Sequence, residues 1–303
     1  MTASNDRNVS RRTFLKGAGG LSAAWLVGGA VSPVYASVGS SEGGWGVLVD
    51  LTRCNGCESC VLACKRSNGL PNPESVPEHL DSDAYTYLEE RLVRLPDQEI
   101  RTAFVKRQCM HCLEPACVSA CTVGALHKRP DGPVVYEADK CIGCRYCQYA
   151  CPFGVPTYEW ENPLGLIAKC QFCFERLGEG REPACTEACP EGALRFGRRD
   201  ALLNQAHAQI ATNPGRYVDH VYGEQEAGGT SMLYLASMSF ELLGFPSLGA
   251  EAIPHNAETI MKGTPLVAVT VASVVTGLHW VLKRRDEKLA QVRASADEVG
   301  EGK

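Results

Sequence analysis

The sequence predicts an α+β fold with a loop-rich body, and three observations carry that expectation. All 16 Cys of the 303 residues fall between positions 54 and 189, in four groups of four. Short β-prone runs, Val47-Leu48-Val49, Ala103-Phe104-Val105 and Val134-Val135-Tyr136, precede the first three groups. After the second and fourth groups, Gly124-Ala125-Leu126 and Gly192-Ala193-Leu194-Arg195-Phe196 read as returning strands. Together these describe two intertwined two-cluster bacterial ferredoxin-like modules with loop insertions, to which an apolar segment adds one C-terminal transmembrane helix.

The cysteine spacing carries the chemistry. Group one is Cys54, Cys57, Cys60 and Cys64, spaced C-x-x-C-x-x-C-x-x-x-C. Group two, Cys109, Cys112, Cys117 and Cys121, widens the middle gap. Group three, Cys141, Cys144, Cys147 and Cys151, repeats the spacing of group one and adds Pro152. Group four is Cys170 and Cys173, then Cys185 and Cys189, with Pro190 after them. Two residues between cysteines let a tight loop curl around an iron–sulfur cube so that three thiolates reach three corners. The fourth cysteine, beyond a three-residue gap, is expected to open a helix and to serve the other cluster of a pair. Four groups therefore predict four [4Fe–4S] clusters held by all sixteen cysteines, with no catalytic residue. Structural zinc needs separated C-x-x-C pairs, a pattern that group four alone resembles. Crowded cysteines at fixed ferredoxin spacing have poor disulfide geometry.

Both ends lie apart from this body. Residues 10–16 read Ser-Arg-Arg-Thr-Phe-Leu-Lys, ahead of an apolar Gly/Ala-rich stretch and a small-residue site at Val34-Tyr35-Ala36. The heptad resembles the twin-arginine (Tat) export signal, giving a signal peptide over 1–36. That route carries folded proteins, as loaded clusters require. Without the four Lys/Arg and one Asp of that segment the net charge moves from −5 to −8. Such a charge leaves no basic excess for nucleic acid. Gly263 to Leu282 has no Asp, Glu, Lys or Arg in twenty residues, which at 1.5 Å per residue spans about 30 Å of hydrocarbon. Trp280 sits near one interface and Lys283-Arg284-Arg285 follows at once. The positive-inside rule then puts 283–303 in the cytoplasm as a tail and the body on the periplasmic side. Ala268, Ala272, Ser273 and Gly277 form a small-residue strip suited to a partner helix.

The intervening organisation is a four-cluster domain over 37–199, with a Pro- and acid-rich insertion at 65–108. An extension over 200–262 packs on it and on partners. In that extension Leu202, Leu203, Ala206 and Ile210 recur at helical spacing, and Met232 to Phe240 is an apolar run read as a strand packed on the body, with a partner-docking surface as the alternative. No C-x-x-C-H, no dinucleotide glycine fingerprint and no P-loop occurs. His111, inside the second cysteine loop, is expected to hydrogen-bond near a cluster rather than to bind iron. Four redox centres without a substrate site make a wire.

Cys109 to Leu126 (CMHCLEPACVSACTVGAL), Cys141 to Gly165 (CIGCRYCQYACPFGVPTYEWENPLG) and Tyr222 to Thr230 (YGEQEAGGT) resemble the HybA-type subunit of periplasmic nickel–iron hydrogenases. That family lies within the four-cluster β-subunits of dimethyl sulfoxide reductase, nitrate reductase and formate dehydrogenase. The resemblance runs over nearly the whole chain. It implies crossed ligation: Cys54, Cys57, Cys60 and Cys189; Cys170, Cys173, Cys185 and Cys64; Cys109, Cys112, Cys117 and Cys151; Cys141, Cys144, Cys147 and Cys121. Thr122 and Lys65 stand where the ferredoxin run has Pro, which loses a chain stop but no ligand. The resemblance further implies electron transfer from a hydrogenase small/large pair to an integral membrane quinone-reactive subunit. Two alternatives stay open: the same relay serving a molybdenum enzyme such as formate dehydrogenase or polysulfide/thiosulfate reductase, and a stand-alone polyferredoxin.

Overall fold

The chain is described here by a computed structural model covering residues 43–95, 98–160, 162 and 165–300. The expected export signal at 1–36 and the last three residues of the tail lie outside the described residues.

Strand β1 (Trp45–Asp50) leads into group one, whose last two cysteines ride on helix α1 (Ser59–Ser67). The insertion then forms a long antiparallel hairpin, β2 (Thr86–Arg94) and β3 (Ile100–Gln108), which delivers the chain to Cys109. Group two closes on the short helix α2 (Ala116–Ser119) and returns as β4 (Leu126–Lys128), paired antiparallel with β5 (Val134–Tyr136). Group three follows with α3 (Tyr146–Ala150), then the small ribbon β6 (Thr157–Tyr158) and β7 (Ile167–Ala168). Group four carries α4 (Phe174–Gly178) and α5 (Ala184–Glu187), and β8 (Leu194–Arg198) runs back antiparallel along β1. Helix α6 (Arg199–Thr212), strand β9 (Met232–Leu235) and the long helix α7 (Pro254–Gly300) complete the chain.

The central sheet has the order β8-β1-β9, with β9 parallel to β1. Period-two alternation gives it two buried faces. Leu48, Leu233 and Leu235 point to α6, where they meet Leu202, Ala206 and Val221. Val47, Val49, Met232 and Tyr234 point the other way, into a larger core with Met110, Phe172, Phe240 and Phe245, against which Cys60, Cys112, Cys185 and Cys189 pack. The extension is thus more than a packed appendage. Its apolar run supplies an edge strand of the sheet that is nonetheless buried along its whole length, Met232–Leu235.

Two local expectations are revised. The fourth cysteine does not open a helix. Cys60, Cys117, Cys147 and Cys185 sit in the first turns of α1, α2, α3 and α5, whereas Cys121, Cys151 and Cys189 follow the helix end. A three-residue gap is about one helical turn, so the third and fourth thiols of a group stand one turn apart, with Cys64 still inside α1 and the other three just past their helix ends. The apolar C-terminal segment is also not a separate twenty-residue unit. Residues 283–300, expected as tail, continue α7, since Lys, Arg, Glu, Leu and Ala are strong helix formers and no Gly or Pro interrupts them before Gly300. Its apolar part, Gly263–Ala290, is long enough to cross a bilayer, and its most apolar window buries nothing against the body. Within it Thr270 and Ser273 donate their hydroxyls to the carbonyls of Leu266 and Val269, both at 2.8 Å, so these polar groups are satisfied inside the helix.

Leu48→Ala is expected to lower stability by about 2–5 kcal/mol, because the sheet and α6 trap a fully buried side chain that cannot be replaced by water. An unchanged anaerobic denaturation midpoint would contradict this packing.

Candidate iron–sulfur sites

The four cysteine loops share one backbone device. The residue two after the first cysteine has positive φ in every group: Gly56 (+81°), His111 (+48°), Gly143 (+67°) and Phe172 (+60°). This left-handed residue reverses the chain and turns amide N–H groups back onto the sulfur. Gly143 N–H donates to Cys141 Sγ at 3.4 Å and Phe172 N–H to Cys170 Sγ at 3.4 Å. At position 56 only glycine serves, since an added Cβ would lie 2.7 Å from the Phe104 ring as well as requiring the left-handed backbone. His111 and Phe172 bear the strained conformation with side chains, and both are wholly buried. Their rings meet edge to face at 4.9 Å, which locks the second and fourth loops back to back at the centre of the molecule.

The thiols that stand together in space are not those grouped in the sequence. One cavity is lined by Cys54, Cys57, Cys60 and Cys189, and a second by Cys64, Cys170, Cys173 and Cys185. The thiols whose charges act on Cys112 are Cys109, Cys117 and Cys151. Those acting on Cys147 are Cys121, Cys141 and Cys144. Burial is the largest influence on nine of these thiols, Cys112, Cys117 and Cys170 among them, and pushes their pKa upward. The Cys147 thiol rises to about 11 and that of Cys64 to about 12, with neighbouring thiolates adding to the rise. With their pKa raised in this way Cys64 and Cys147 are protonated when bare, so a metal bound there must displace their protons.

Cations stand beside them, Lys106 and Lys169 buried and Lys128 half-buried. Lys106, on β3, donates through Nζ to Thr86 Oγ1 and Gln108 Oε1. Lys128 donates to the carbonyls of His111 (3.1 Å) and Gly132. Lys169 donates to those of Val134 (2.6 Å) and Cys170 (2.9 Å). Ammonium groups held by neutral acceptors next to thiols fit a bound anionic group. Quartets of thiols around cavities, with inward N–H donors, are the donor set of a [4Fe–4S] cluster.

His111, expected to hydrogen-bond near a cluster, accepts at Nδ1 from the Val134 amide at 2.9 Å and leaves Nε2 unpartnered. Burial, then Lys169 and Lys128, keep its pKa well below the usual histidine value, so it is neutral. His127, His207, His220 and His255 pair with Glu137, Glu224, Glu226 and Glu114. The Tyr222 to Thr230 segment is structural: Glu226 receives the Gly223 amide and His220 Nε2, both at 2.6 Å. The three lysines escaped sequence reasoning. The one signal for Lys106 was its alternation with Phe104 and Gln108 along a β-prone run.

The family described as a 4Fe-4S dicluster domain matches residues 100–199, the second to fourth groups. A protein of Nitratidesulfovibrio vulgaris is 41% identical over 95% of this chain and 81% of its own length. The hydrogenase-2 operon protein HybA of Escherichia coli O157:H7 is 35% identical, over 92% of this chain and 96% of its own. A formate dehydrogenase iron-sulfur subunit of Haemophilus influenzae is 34% identical over 62% of this chain and 63% of its own.

Anaerobic metal analysis is expected to give about sixteen irons and as many acid-labile sulfides per chain. Stoichiometric zinc, or about four irons, would contradict four clusters.

Proposed function

The chain belongs to the family of HybA-like [4Fe–4S] electron-transfer subunits, and from that premise we propose that it relays electrons between a periplasmic hydrogenase catalytic pair and an integral membrane, quinone-reactive subunit. Bound [4Fe–4S] clusters supply one-electron redox chemistry. The residues of this chain hold them, exclude water from them and set their order.

The observation that carries the reading is a line of thiols through the body. In this reading the ligand sets are Cys54, Cys57, Cys60 and Cys189; Cys64, Cys170, Cys173 and Cys185; Cys109, Cys112, Cys117 and Cys151; and Cys121, Cys141, Cys144 and Cys147. Successive sets are neighbours: Cys60 feels the charge of Cys185, Cys170 that of Cys109, and Cys117 that of Cys147. A ligand cysteine is exposed at each end, Cys57 in the first set and Cys144 in the last. The two ends differ in chemistry. Cys57 lies among Asn55, Glu58 and Glu191, whereas Cys144 stands beside exposed Ile142, Tyr146 and Tyr149, the last 85% exposed. An apolar partner surface suits the Cys144 end. Export through the Arg11-Arg12 signal and anchoring by α7, with the C-terminus in the cytoplasm, complete the arrangement.

Crossing is tested by two substitutions. Cys189→Ser is expected to alter the signal of the first set and Cys185→Ser that of the second. The same signal changing in both variants would refute the crossing. Ending the chain before Gly263 is expected to release a soluble exported body with full iron content; retention through carbonate washing would contradict the anchor.

The relay itself is tested in membranes of a deletion strain. Hydrogen-dependent dye reduction is expected to survive and hydrogen-dependent quinone reduction to be lost, with formate and sulfur substrates run in parallel. Loss confined to formate-linked quinone reduction would assign the relay to a molybdenum enzyme, the reading that the likeness to a formate dehydrogenase iron-sulfur subunit favours.

A further inference from the structure

Lys106 is buried in the middle of the protein, 2% exposed, where a free ammonium is costly. Its hydrogen-bond partners, Thr86 and Gln108, are neutral and themselves buried. The charges that act on it are those of Cys60, Cys185, Cys64 and Tyr234, with no carboxylate among them. Tertiary packing alone does not call for a lysine here. Lys106 lines the cavity of Cys54, Cys57, Cys60 and Cys189 and equally that of Cys64, Cys170, Cys173 and Cys185. It is the side chain of an inserted hairpin that neither cysteine group of those cavities contains.

We propose that Lys106 is a positioning charge shared by the first two thiol sets, which favours reduction at both of them together and leaves the other two sets to other residues. The proposal rests on the four-cluster reading given above. Reduction adds one electron, hence one negative charge, to the centre held by either quartet. A fixed cation nearby stabilises the added charge, and burial leaves little solvent to screen it. Because the ammonium faces Cys60 on one side and Cys64 and Cys185 on the other, it moves both equilibria in the same direction. The step between these two sets therefore stays shallow, and an electron is not trapped at one of them. The other two lysines divide differently. Lys128 acts on Cys112, Cys109 and Cys117, and Lys169 acts on Cys117, so the third set has its own cations. The largest charges acting on Cys147 of the fourth set are those of Cys121, Cys141 and Cys144.

The test is a set of EPR-monitored redox titrations of the full chain in its membrane complex, with Lys106→Met, Lys106→Arg and Gln108→Glu beside the unaltered protein. Gln108→Glu keeps the lysine and the side-chain volume but pairs the ammonium with a carboxylate. In the Met and Glu variants the reduction equilibrium at two of the four centres is expected to fall at least tenfold, about 59 mV for a one-electron couple. The other two centres should hold their potentials, and Lys106→Arg should restore all four. Signals altered by Cys189→Ser and Cys185→Ser identify the two affected centres. If Lys106→Met loses iron, Gln108→Glu decides alone. Potentials unchanged in the variants, or all four moving together, overturn the proposal. An unaltered protein lacking four one-electron centres would instead refute the four-cluster reading.

Discussion

Much of this structure answers one constraint, that sixteen thiols must be kept close together inside a protein. Burial alone raises their pKa and makes them poor ligands, as Cys64, Cys117 and Cys170 show. Adjacent thiolates then repel one another. The chain offsets both effects with amide N–H groups turned inward by left-handed residues and with lysine ammoniums tied to neutral oxygens. Neither device stabilises the fold by itself. An unpaired buried lysine and a left-handed phenylalanine each cost energy, and they make sense only with an anionic group between the thiols.

The same constraint shows in the helices that carry cysteines. A three-residue gap sets the third and fourth thiols of a group one helical turn apart, on the nine-residue α1 as on the four- and five-residue helices. Little regular structure remains to make a core, so stability comes from the sheet β8-β1-β9. Its one face is sealed by α6 and its other face packs directly on the cysteine loops. The inserted hairpin then does two things: it delivers Cys109, and it carries Lys106 between two cavities.

The His111–Phe172 contact couples these layers. It joins the loop of group two to that of group four, and Cys109 and Cys170 lie close enough there for their charges to interact. This contact thus joins the two loops that carry Cys109 and Cys170. The ring of His111 is available for this role because its Nδ1 is occupied by the Val134 amide and burial keeps it uncharged.

The cofactor was legible in the sequence because ligand spacing is a local property: two- and three-residue gaps dictate how a loop curls, whatever surrounds it. The strands β1, β5 and β8 and the helix α6 were legible for the same reason, since period-two and helical alternation need no distant partner. The apolar C-terminal segment was equally plain, although the helix runs on through charged residues that hydropathy reads as an end. Tertiary structure alone decided which thiols meet, because Cys189 reaches Cys54 only when β8 lies antiparallel to β1. It also decided that Met232–Leu235 pairs parallel to β1 as a buried edge strand and that Lys106 stands between two cavities. These are contacts between residues over a hundred positions apart, or between an insertion and the groups it interrupts. Sequence records what each segment prefers, but the meeting of distant segments is set by the packing of the whole.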